Sequence, residues 1–191
     1  MAFQPPAGLQ RTVIDAAVGI VASTGPDDLS LRSVARAAGV SHQAPYHYFK
    51  DREGLFAAIC EEGFHGLAVA MESAQSTSPE SMFQAYVKFA LDNPGHFRVM
   101  FRHDICDLER FPDALVQADR AFGVLVDFVT RHLAADVAID QIRVTATYMW
   151  STAHGLATLL LDGPLEKKVG AIANRDDFIA SIARVATRAL R

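Results

Sequence analysis

Residues 31–56, LRSVARAAGV SHQAPYHYFK DREGLF, contain two short apolar-periodic segments separated by a turn. In the first segment Leu31 and Val34 recur at helical spacing, and the segment ends at Gly39, a residue suited to the left-handed conformation that closes a helix. The second segment begins after Val40, with Ser41 as a candidate N-cap. A separation of about three residues between two such segments is typical of a helix-turn-helix.

The second segment is crowded with polar and aromatic side chains, where a solvated helix would usually carry Lys and Glu. These residues are Ser41, His42, Gln43, Tyr46, His47 and Tyr48. Pro45 also lies in this segment. Because proline costs little in the first turn of a helix, we predict that this helix begins near Gln43 or Ala44.

The pattern AxxAGVSxxxxYxYFKDREGLF, which ends at Phe56, resembles the DNA-binding domain of TetR-type (TetR/AcrR) transcriptional regulators. The resemblance begins at about Leu9, although Pro45 replaces the Leu or Ile of many members. It implies an all-α protein with a helix-turn-helix DNA-binding domain at residues 1–56 and an effector-binding and dimerisation domain at residues 57–191. It also implies a homodimer that represses transcription from a palindromic operator and is released by a small, largely apolar effector.

From this resemblance and from side-chain chemistry together, we expect nine residues to contact double-stranded DNA. They are Arg32, Ser41, His42, Gln43, Ala44, Tyr46, His47, Lys50 and Arg52. A Gln can pair bidentately with adenine, and an Ala methyl can touch the thymine methyl. Two alternatives remain open, since Ser41 can be a helix cap and Arg32 a solvated surface residue. Tyr48 is ambiguous, because its ring can belong to the core.

The rest of the chain is also predicted to be helical, because no run of β-branched residues alternates with period two. Capping residues and prolines place the expected helices at about Leu9–Ser23, Arg52–Ala74, Pro79–Asp92, His96–Arg102, Asp113–Leu133, Ile139–Leu161 and Asp176–Leu190. Ser30, Asp51 and Ser78 are predicted N-caps. A polar break is predicted at Gln75–Ser78, and a Gly/Pro/Lys loop precedes the last helix.

Trp150 and the pair His154-Gly155 resemble a tryptophan-histidine-glycine signature of one branch of TetR-type C-terminal domains. A Trp and a His four residues apart share one face of a helix. We therefore expect an effector site made of aromatic and apolar residues around an imidazole, formed by Phe101, Phe122, Leu125, Tyr148, Trp150 and His154. The alternative is that these side chains only pack at a helix interface.

The last two helices have apolar faces that resemble the two-fold four-helix interface of this family. The residues concerned are Ile142, Leu156, Leu159, Leu160, Phe178, Ile182, Val185 and Ala186. A two-fold dimer would place two recognition helices about one DNA turn, or a near multiple, apart.

Other functional classes receive less support from the sequence. His96, His103 and Cys106 could suggest a metal-responsive regulator, but their spacing matches no standard zinc pattern. The chain has no GxSxG, P-loop, GxGxxG or HExxH motif, so an enzyme is not expected and no cofactor is predicted. A helical ligand carrier that has lost DNA binding is a further alternative, which Tyr46 and Lys50 argue against.

Charge and cysteine content agree with this interpretation. The net charge of −4 argues against a protein that coats nucleic acid nonspecifically, so any DNA contact must come from a local patch. The two cysteines, Cys60 and Cys106, form no CxxC pattern, which fits a reducing cytosol. The N-terminal residues lack the apolar stretch of a signal peptide, so we expect a cytoplasmic protein.

Overall fold

Helices account for every regular element in residues 7–74, 78–163 and 165–190, which are the residues that the computed structural model describes. The α-helices are α1 (Ala7–Thr24), α2 (Leu31–Ala37), α3 (Ala44–Phe49), α4 (Arg52–Ala74), α5 (Pro79–Asp92), α6 (Pro94–Met100), α7 (Pro112–His132), α8 (Ile139–Leu161), α9 (Leu165–Val169) and α10 (Arg175–Ala186). Short 3-10 helices occupy Leu108–Arg110 and Thr187–Leu190. The predicted all-α fold is therefore confirmed.

The predicted caps explain where several helices begin. Ser30 and Ser33 bond reciprocally at the start of α2, each side chain accepting from the other's backbone N–H at 3.0 Å. Asp51 Oδ1 accepts from the Gly54 N–H at 2.8 Å and so caps α4. Ser78 Oγ likewise accepts from the Ser81 N–H at 3.1 Å at the start of α5. These three predicted N-caps are confirmed.

The start of α3 shows one correct prediction and one error. Gly39 adopts a φ of +67°, the left-handed conformation predicted for the end of α2. The first residue of α3 is Ala44, as Pro45 predicts, but the N-cap is Gln43 and not Ser41. No side chain caps this helix. The helix therefore begins three residues after Ser41.

Most of the later boundaries agree with the prediction, and α4 and α8 have the predicted limits. Helix α6 begins at Pro94 and not at His96, because proline is well tolerated in the first turn of a helix. The short helix α9 lies where a loop was predicted. Of the break predicted at Gln75–Ser78, only Ser78 lies within the described residues.

The chain divides into two compact units that are not contiguous in sequence. The first contains the residues up to Phe64 together with Asn93–Ala118, and the second contains His65–Asp92 together with the residues from Asp119 onward. The sequence predicted contiguous domains at residues 1–56 and 57–191 instead. The difference arises because α6 packs against α1 and so joins the first unit.

Helix α1 lies at the centre of the first unit, where it contacts α2, α3 and α6. Its buried residues Val13 and Val21 pack in the same core as Val34 of α2, with Leu55 and Phe56 of α4 also fully buried. Gly95 permits the close approach of α6, because a Cβ atom there would lie 2.4 Å from the Val18 carbonyl oxygen. This packing fixes the frame on which α2 and α3 are held.

In the second unit, α5 packs against both α8 and α10. Its core contains large, fully buried side chains from three helices, including Phe83, Phe128 and Met149. Helix α4 is long and apolar enough to cross a membrane by length and composition alone. However, 56% of its apolar window is buried inside the protein, as in the core helix of a soluble fold.

Candidate nucleic-acid interface and effector site

The turn between α2 and α3 and the exposed side of α3 carry most of the predicted DNA-contacting residues. Tyr46 is a large aromatic residue, and 52% of it is exposed on α3. The other predicted residues that are exposed are Arg32, Ser41, His42, Gln43, His47 and Lys50. The structure therefore brings seven of the nine predicted residues to the surface of one helix-turn-helix.

Ala44 does not belong to this exposed set. Only 6% of the residue is exposed, and its neighbour Pro45 is also buried. A methyl group inside the core cannot touch a thymine, so the predicted role of Ala44 is corrected to packing. The reason is the rotation of the short helix α3, which turns Ala44 and Phe49 inward.

Arg52 is also corrected from a phosphate ligand to a structural residue. Its Nη2 group donates to the carbonyl oxygen of Pro26 at 2.7 Å and to that of Asp27 at 3.2 Å. Its guanidinium carbon lies 4.8 Å from the centre of the Phe56 ring. These contacts tie the start of α4 to the loop after α1 and engage the Nη2 group of the guanidinium.

Lys50 joins α3 to α4 through an unusual backbone turn. Its φ of 60° and ψ of −54° are close to those of a γ-turn. As in that turn, the N–H of Asp51 donates to the carbonyl oxygen of Phe49, with 2.5 Å between nitrogen and oxygen. A Cβ atom on Gly54 would lie 2.2 Å from the same carbonyl oxygen. Such strained conformations often occur at functional positions. The turn keeps Lys50 exposed at the junction between the two helices.

The residues considered for metal binding do not form a common site. Nε2 of His96 lies 3.6 Å from the Glu62 carboxylate, and burial lowers the pKa of His96. Cys106 is buried, whereas His103 is exposed. Among the described residues, no group of three or more His, Cys, Asp or Glu side chains is arranged to hold a metal ion.

In the second unit, a hydrogen-bond chain connects Trp150, Tyr86 and His154. Trp150 Nε1 donates to the Tyr86 hydroxyl at 3.2 Å, and this hydroxyl lies 2.9 Å from His154 Nδ1. Because the indole can only donate, the hydroxyl accepts from it and can donate to an unprotonated Nδ1. Burial lowers the pKa of His154, which agrees with a neutral imidazole.

A small apolar cavity lies beside this chain. Its lining residues are Met71, Met82, Phe83, Tyr86, Leu125, Met149, Trp150 and Ala153. The cavity volume is only about 10 Å³, whereas small-molecule sites usually occupy about 300 to 1,000 Å³. A ligand would therefore have to displace side chains, and the flexible Met71 and Met149 are suited to such movement.

The structure separates the predicted effector-site residues into three groups. Leu125, Trp150 and His154 lie at or beside the cavity, and the Phe122 ring packs edge-on to Trp150 with 5.8 Å between centroids. Tyr148 is exposed on α8. Phe101 belongs to the first unit, where it packs against Phe64 and Phe97.

The predicted site therefore needs two corrections and one addition. Phe101 follows α6 into another core, and Tyr148 is not among the residues that line the cavity. Tyr86 was missed, although a Tyr on the buried side of a predicted helix needs a partner for its hydroxyl. That requirement was the only signal in the sequence, and it could not identify Trp150 and His154 as the partners.

Exposed apolar residues on α8 and α10 differ from those predicted for a dimer interface. Ile142, Leu156 and Ala186 are buried within the chain, so they are corrected to core residues. Of the predicted set, Leu159 and Val185 are exposed, and Leu160, Phe178 and Ile182 are half-buried. Val144 and Tyr148 add to the exposed apolar surface of α8.

Two protein-family models match the chain. The model described as bacterial regulatory proteins of the tetR family matches residues 13–59, which include α2, α3 and the start of α4. The model described as a tetracyclin repressor-like C-terminal domain matches residues 80–185. The second match contains Tyr86, Trp150 and His154.

Individual relatives agree with these matches. The HTH-type transcriptional regulator BetI of Serratia proteamaculans (strain 568) is 33% identical over 97 residues, which are 47% of this chain and 49% of that protein. The chain thus spans about half the length of this curated relative.

Two solved structures extend the likeness over nearly the whole chain. A protein with unknown function from Rhodococcus sp. RHA1 is 30% identical with a TM-score of 0.75, covering 97% of this chain and 98% of that one. A bacterial regulatory protein in the tetR family from Rhodococcus RHA1 covers the same shares at 19% identity and a TM-score of 0.74. This second likeness concerns the fold alone.

Proposed function

The chain belongs to the TetR family of bacterial regulatory proteins, and from this premise we propose that it represses transcription from a palindromic operator and releases it when a small effector binds. The members of this family are DNA-binding transcriptional regulators and not enzymes, and they act as dimers with small-molecule effectors. The chain is accordingly a transcriptional regulator with a helix-turn-helix. Repression, the operator symmetry and the nature of the effector are the proposed parts.

The exposed polar surface of the helix-turn-helix is the observation that carries the proposal. Tyr46, His47 and Lys50 offer hydroxyl, imidazole and ammonium groups to phosphates, and Gln43 at the start of α3 offers an amide to a base edge. Because the net charge is −4, affinity must come from this local surface. Arg32 and His42 extend the surface on either side of the turn between the helices.

We propose that two copies associate through α8 and α10 and thereby define the operator. Val144, Leu159 and Val185 are exposed apolar residues on these two helices, and such residues favour contact with a second copy. A two-fold dimer presents two identical recognition helices, so its operator should contain two inverted half-sites.

The effector site in this proposal is the cavity beside Tyr86, Trp150 and His154. A small, largely apolar ligand would replace the packing of Met71 and Met149 and would bond with its polar atom to the imidazole or the phenol. Met71 belongs to α4, the helix that continues from the helix-turn-helix. A ligand that displaces Met71 would therefore act on α4, a helix that takes part in both DNA binding and effector binding.

The ligand must distinguish two conformations to act in this way. A hundredfold loss of operator affinity requires a preference of about 2.7 kcal/mol for the conformation that does not bind DNA. By linkage, operator DNA must weaken ligand binding by the same factor.

One experiment addresses both parts of the proposal. Purified protein selects bound sequences from random DNA, and the selection is repeated across a library of small molecules. We expect an inverted repeat in the selected DNA and a compound that abolishes its recovery. Selection of unrelated sequences, or of a single half-site by a monomer, would contradict the proposal.

A further inference from the structure

Two arginines from other helices bond to the end of α1 and to the residues that join α1 to α2. These joining residues, Gly25–Ser30, are called the α1–α2 connection, and they lead into the first helix of the helix-turn-helix. Arg98 lies on α6 and contacts the end of α1, whereas Arg52 lies on α4 and contacts the connection itself. All of these residues belong to the first unit.

Arg98 caps the C-terminal end of α1, although 76 positions separate it from Ala22 in the sequence. Its Nη1 group donates to the Ala22 carbonyl oxygen at 2.5 Å and to that of Val21 at 3.4 Å. The last turn of α1 contains no basic residue, and a helix C-terminus carries a partial negative charge. Arg98 therefore supplies, from α6, the positive charge that stabilises this helix end.

The packing of α6 on α1 holds Arg98 in this position. Gly95 and Arg98 are three residues apart and share one face of α6, and Val18 and Ala22 share one face of α1 in the same way. A Cβ atom on Gly95 would lie 2.4 Å from the Val18 carbonyl oxygen, so the two helices are in close contact beside Arg98. Arg98 is also half-buried, so its charge is screened less than that of an exposed arginine.

Arg52 holds the next residues of the connection. It donates to the carbonyl oxygen of Pro26, and this oxygen also accepts from the Leu29 N–H at 3.2 Å. Leu29 directly precedes Ser30, the N-cap of α2. The arginine contacts at the end of α1 and at Pro26 therefore fix the backbone from which α2 begins.

We propose that Arg98 is a positioning residue for DNA binding, acting through the end of α1 and the α1–α2 connection on the placement of α2 and α3. Helix α1 packs against both of these helices, so a displaced α1 end would misplace both. Arg98 lies outside residues 13–59, which the first family model matches, so the part of the chain that supports DNA binding extends into α6. This role rests on the proposed function, which assigns DNA contact to the exposed surface of the helix-turn-helix.

Amide hydrogen exchange of the full-length protein without DNA tests the local part of this proposal. The N–H groups of Gly25 and Leu29 bond to carbonyl oxygens that the two arginines also contact. In Arg98→Ala we expect these two amides to exchange about tenfold faster, because a hydrogen bond from a charged group is lost. The Asp162 amide at the end of α8 is the control in the second unit and should not change. Unchanged exchange at Gly25 and Leu29 would overturn the cap as a constraint on the connection.

DNA affinity tests the positioning role, by fluorescence anisotropy at several salt concentrations and at a temperature where circular dichroism shows every variant to be folded. Arg98→Ala should bind about tenfold more weakly with the salt slope of the wild type, because no phosphate contact is lost. Arg98→Lys keeps the charge and a donor and should recover most of the affinity. Arg131→Ala is the matched control, since Arg131 on α7 also donates to a backbone carbonyl but lies in the second unit. This control should bind as the wild type does.

The outcomes separate this role from the alternatives. Unchanged affinity of Arg98→Ala, or an equal loss in Arg131→Ala, would overturn the positioning role, and a reduced salt slope would make Arg98 a phosphate ligand instead. If Arg98→Ala does not fold, Arg98→Gln, which keeps a donor without the charge, replaces it in both measurements. Wild-type protein that binds no DNA would contradict the proposed function and the positioning role with it, while hydrogen exchange still decides whether Arg98 holds the end of α1.

Discussion

The Tyr86 hydroxyl on α5 lies 2.9 Å from Nδ1 of His154 on α8. The phenol is buried, and burial raises its pKa, so it remains protonated and can donate this hydrogen bond. When the phenol donates, the neutral imidazole accepts at Nδ1 and carries its proton on Nε2. In this tautomer His154 carries no charge.

This arrangement predicts a pH dependence of stability. Burial lowers the pKa of His154 in the folded protein below its unfolded value of about 6.5. At pH values between these two pKa values, the unfolded chain binds more protons than the folded one. The free energy of unfolding should therefore fall as the pH decreases below about 6.5. His154→Gln keeps an acceptor for the phenol but does not titrate, so its stability should fall less steeply.

Urea unfolding followed by Trp150 fluorescence at several pH values measures this difference. Burial lowers the pKa of His96 as well, but His96 is present in both proteins, so its contribution cancels in the comparison. Equal pH slopes for the wild type and His154→Gln would show that His154 titrates alike in the folded and unfolded states.

The exposed residues of the helix-turn-helix should separate into phosphate and base contacts. Lys50→Ala should weaken binding to all sequences and reduce the salt slope by about one unit, because one phosphate contact is lost. Gln43→Ala should instead relax the preference at one operator position by about 1 to 3 kcal/mol. Lys168→Ala, an exposed lysine on α9, is the matched control and should change neither. Equal losses at every position from Lys50→Ala and Gln43→Ala would refute the assigned roles.

Arg52 and Arg32 provide a second matched pair. Arg52 bonds to two backbone carbonyls and covers the Phe56 ring, so Arg52→Ala should lower the free energy of unfolding by about 2 kcal/mol. Arg32 is exposed, and Arg32→Ala should leave stability nearly unchanged but reduce the salt slope of DNA binding. Chemical denaturation and salt titrations check both variants. A reduced salt slope at unchanged stability in Arg52→Ala would restore it as a phosphate ligand.

The proposed dimer surface predicts a specific loss of association. Val144 on α8 is 61% exposed, and Val116 on α7 is 60% exposed. Val144→Glu should produce monomers in light scattering at micromolar concentration, because the new charge would be buried between the copies. Val116→Glu is the control for a charge at an equally exposed valine and should remain dimeric. A dimeric Val144→Glu protein would place the interface elsewhere.

Local signals in the sequence were sufficient for most of the fold. Ser30, Asp51 and Ser78 bond to backbone groups within their own helix starts, so their roles follow from neighbouring residues. The start of α3 followed in the same way from Pro45.

The site needed information that neighbouring residues do not contain. Whether Ala44 reads a base depends on the rotation of α3, and that rotation is set by its packing against α1 and α2. Tyr86 meets Trp150 and His154 across separations of 64 and 68 residues. Arg52 meets the carbonyl of Pro26 across 26 residues. Charge and size are the same for a DNA-binding arginine and a structural one, so only the fold distinguishes them.

The effector mechanism can be tested through the single tryptophan of the chain, because Trp150 lies in the cavity wall. A compound that releases the operator should change Trp150 emission, and operator DNA should shift this titration to higher compound concentrations by linkage.

His154→Ala should weaken binding of that compound while leaving DNA affinity without the compound nearly intact, because His154 belongs to the second unit. Tyr86→Phe keeps the ring but removes the hydroxyl that both partners contact, so it reports the combined loss of the hydrogen bonds to Trp150 and His154. A compound that releases DNA, leaves the emission unchanged and binds His154→Ala normally would place the effector site elsewhere. If the compound releases the operator but operator DNA does not weaken binding of the compound, the two-conformation mechanism is excluded, because linkage requires the two effects to be equal.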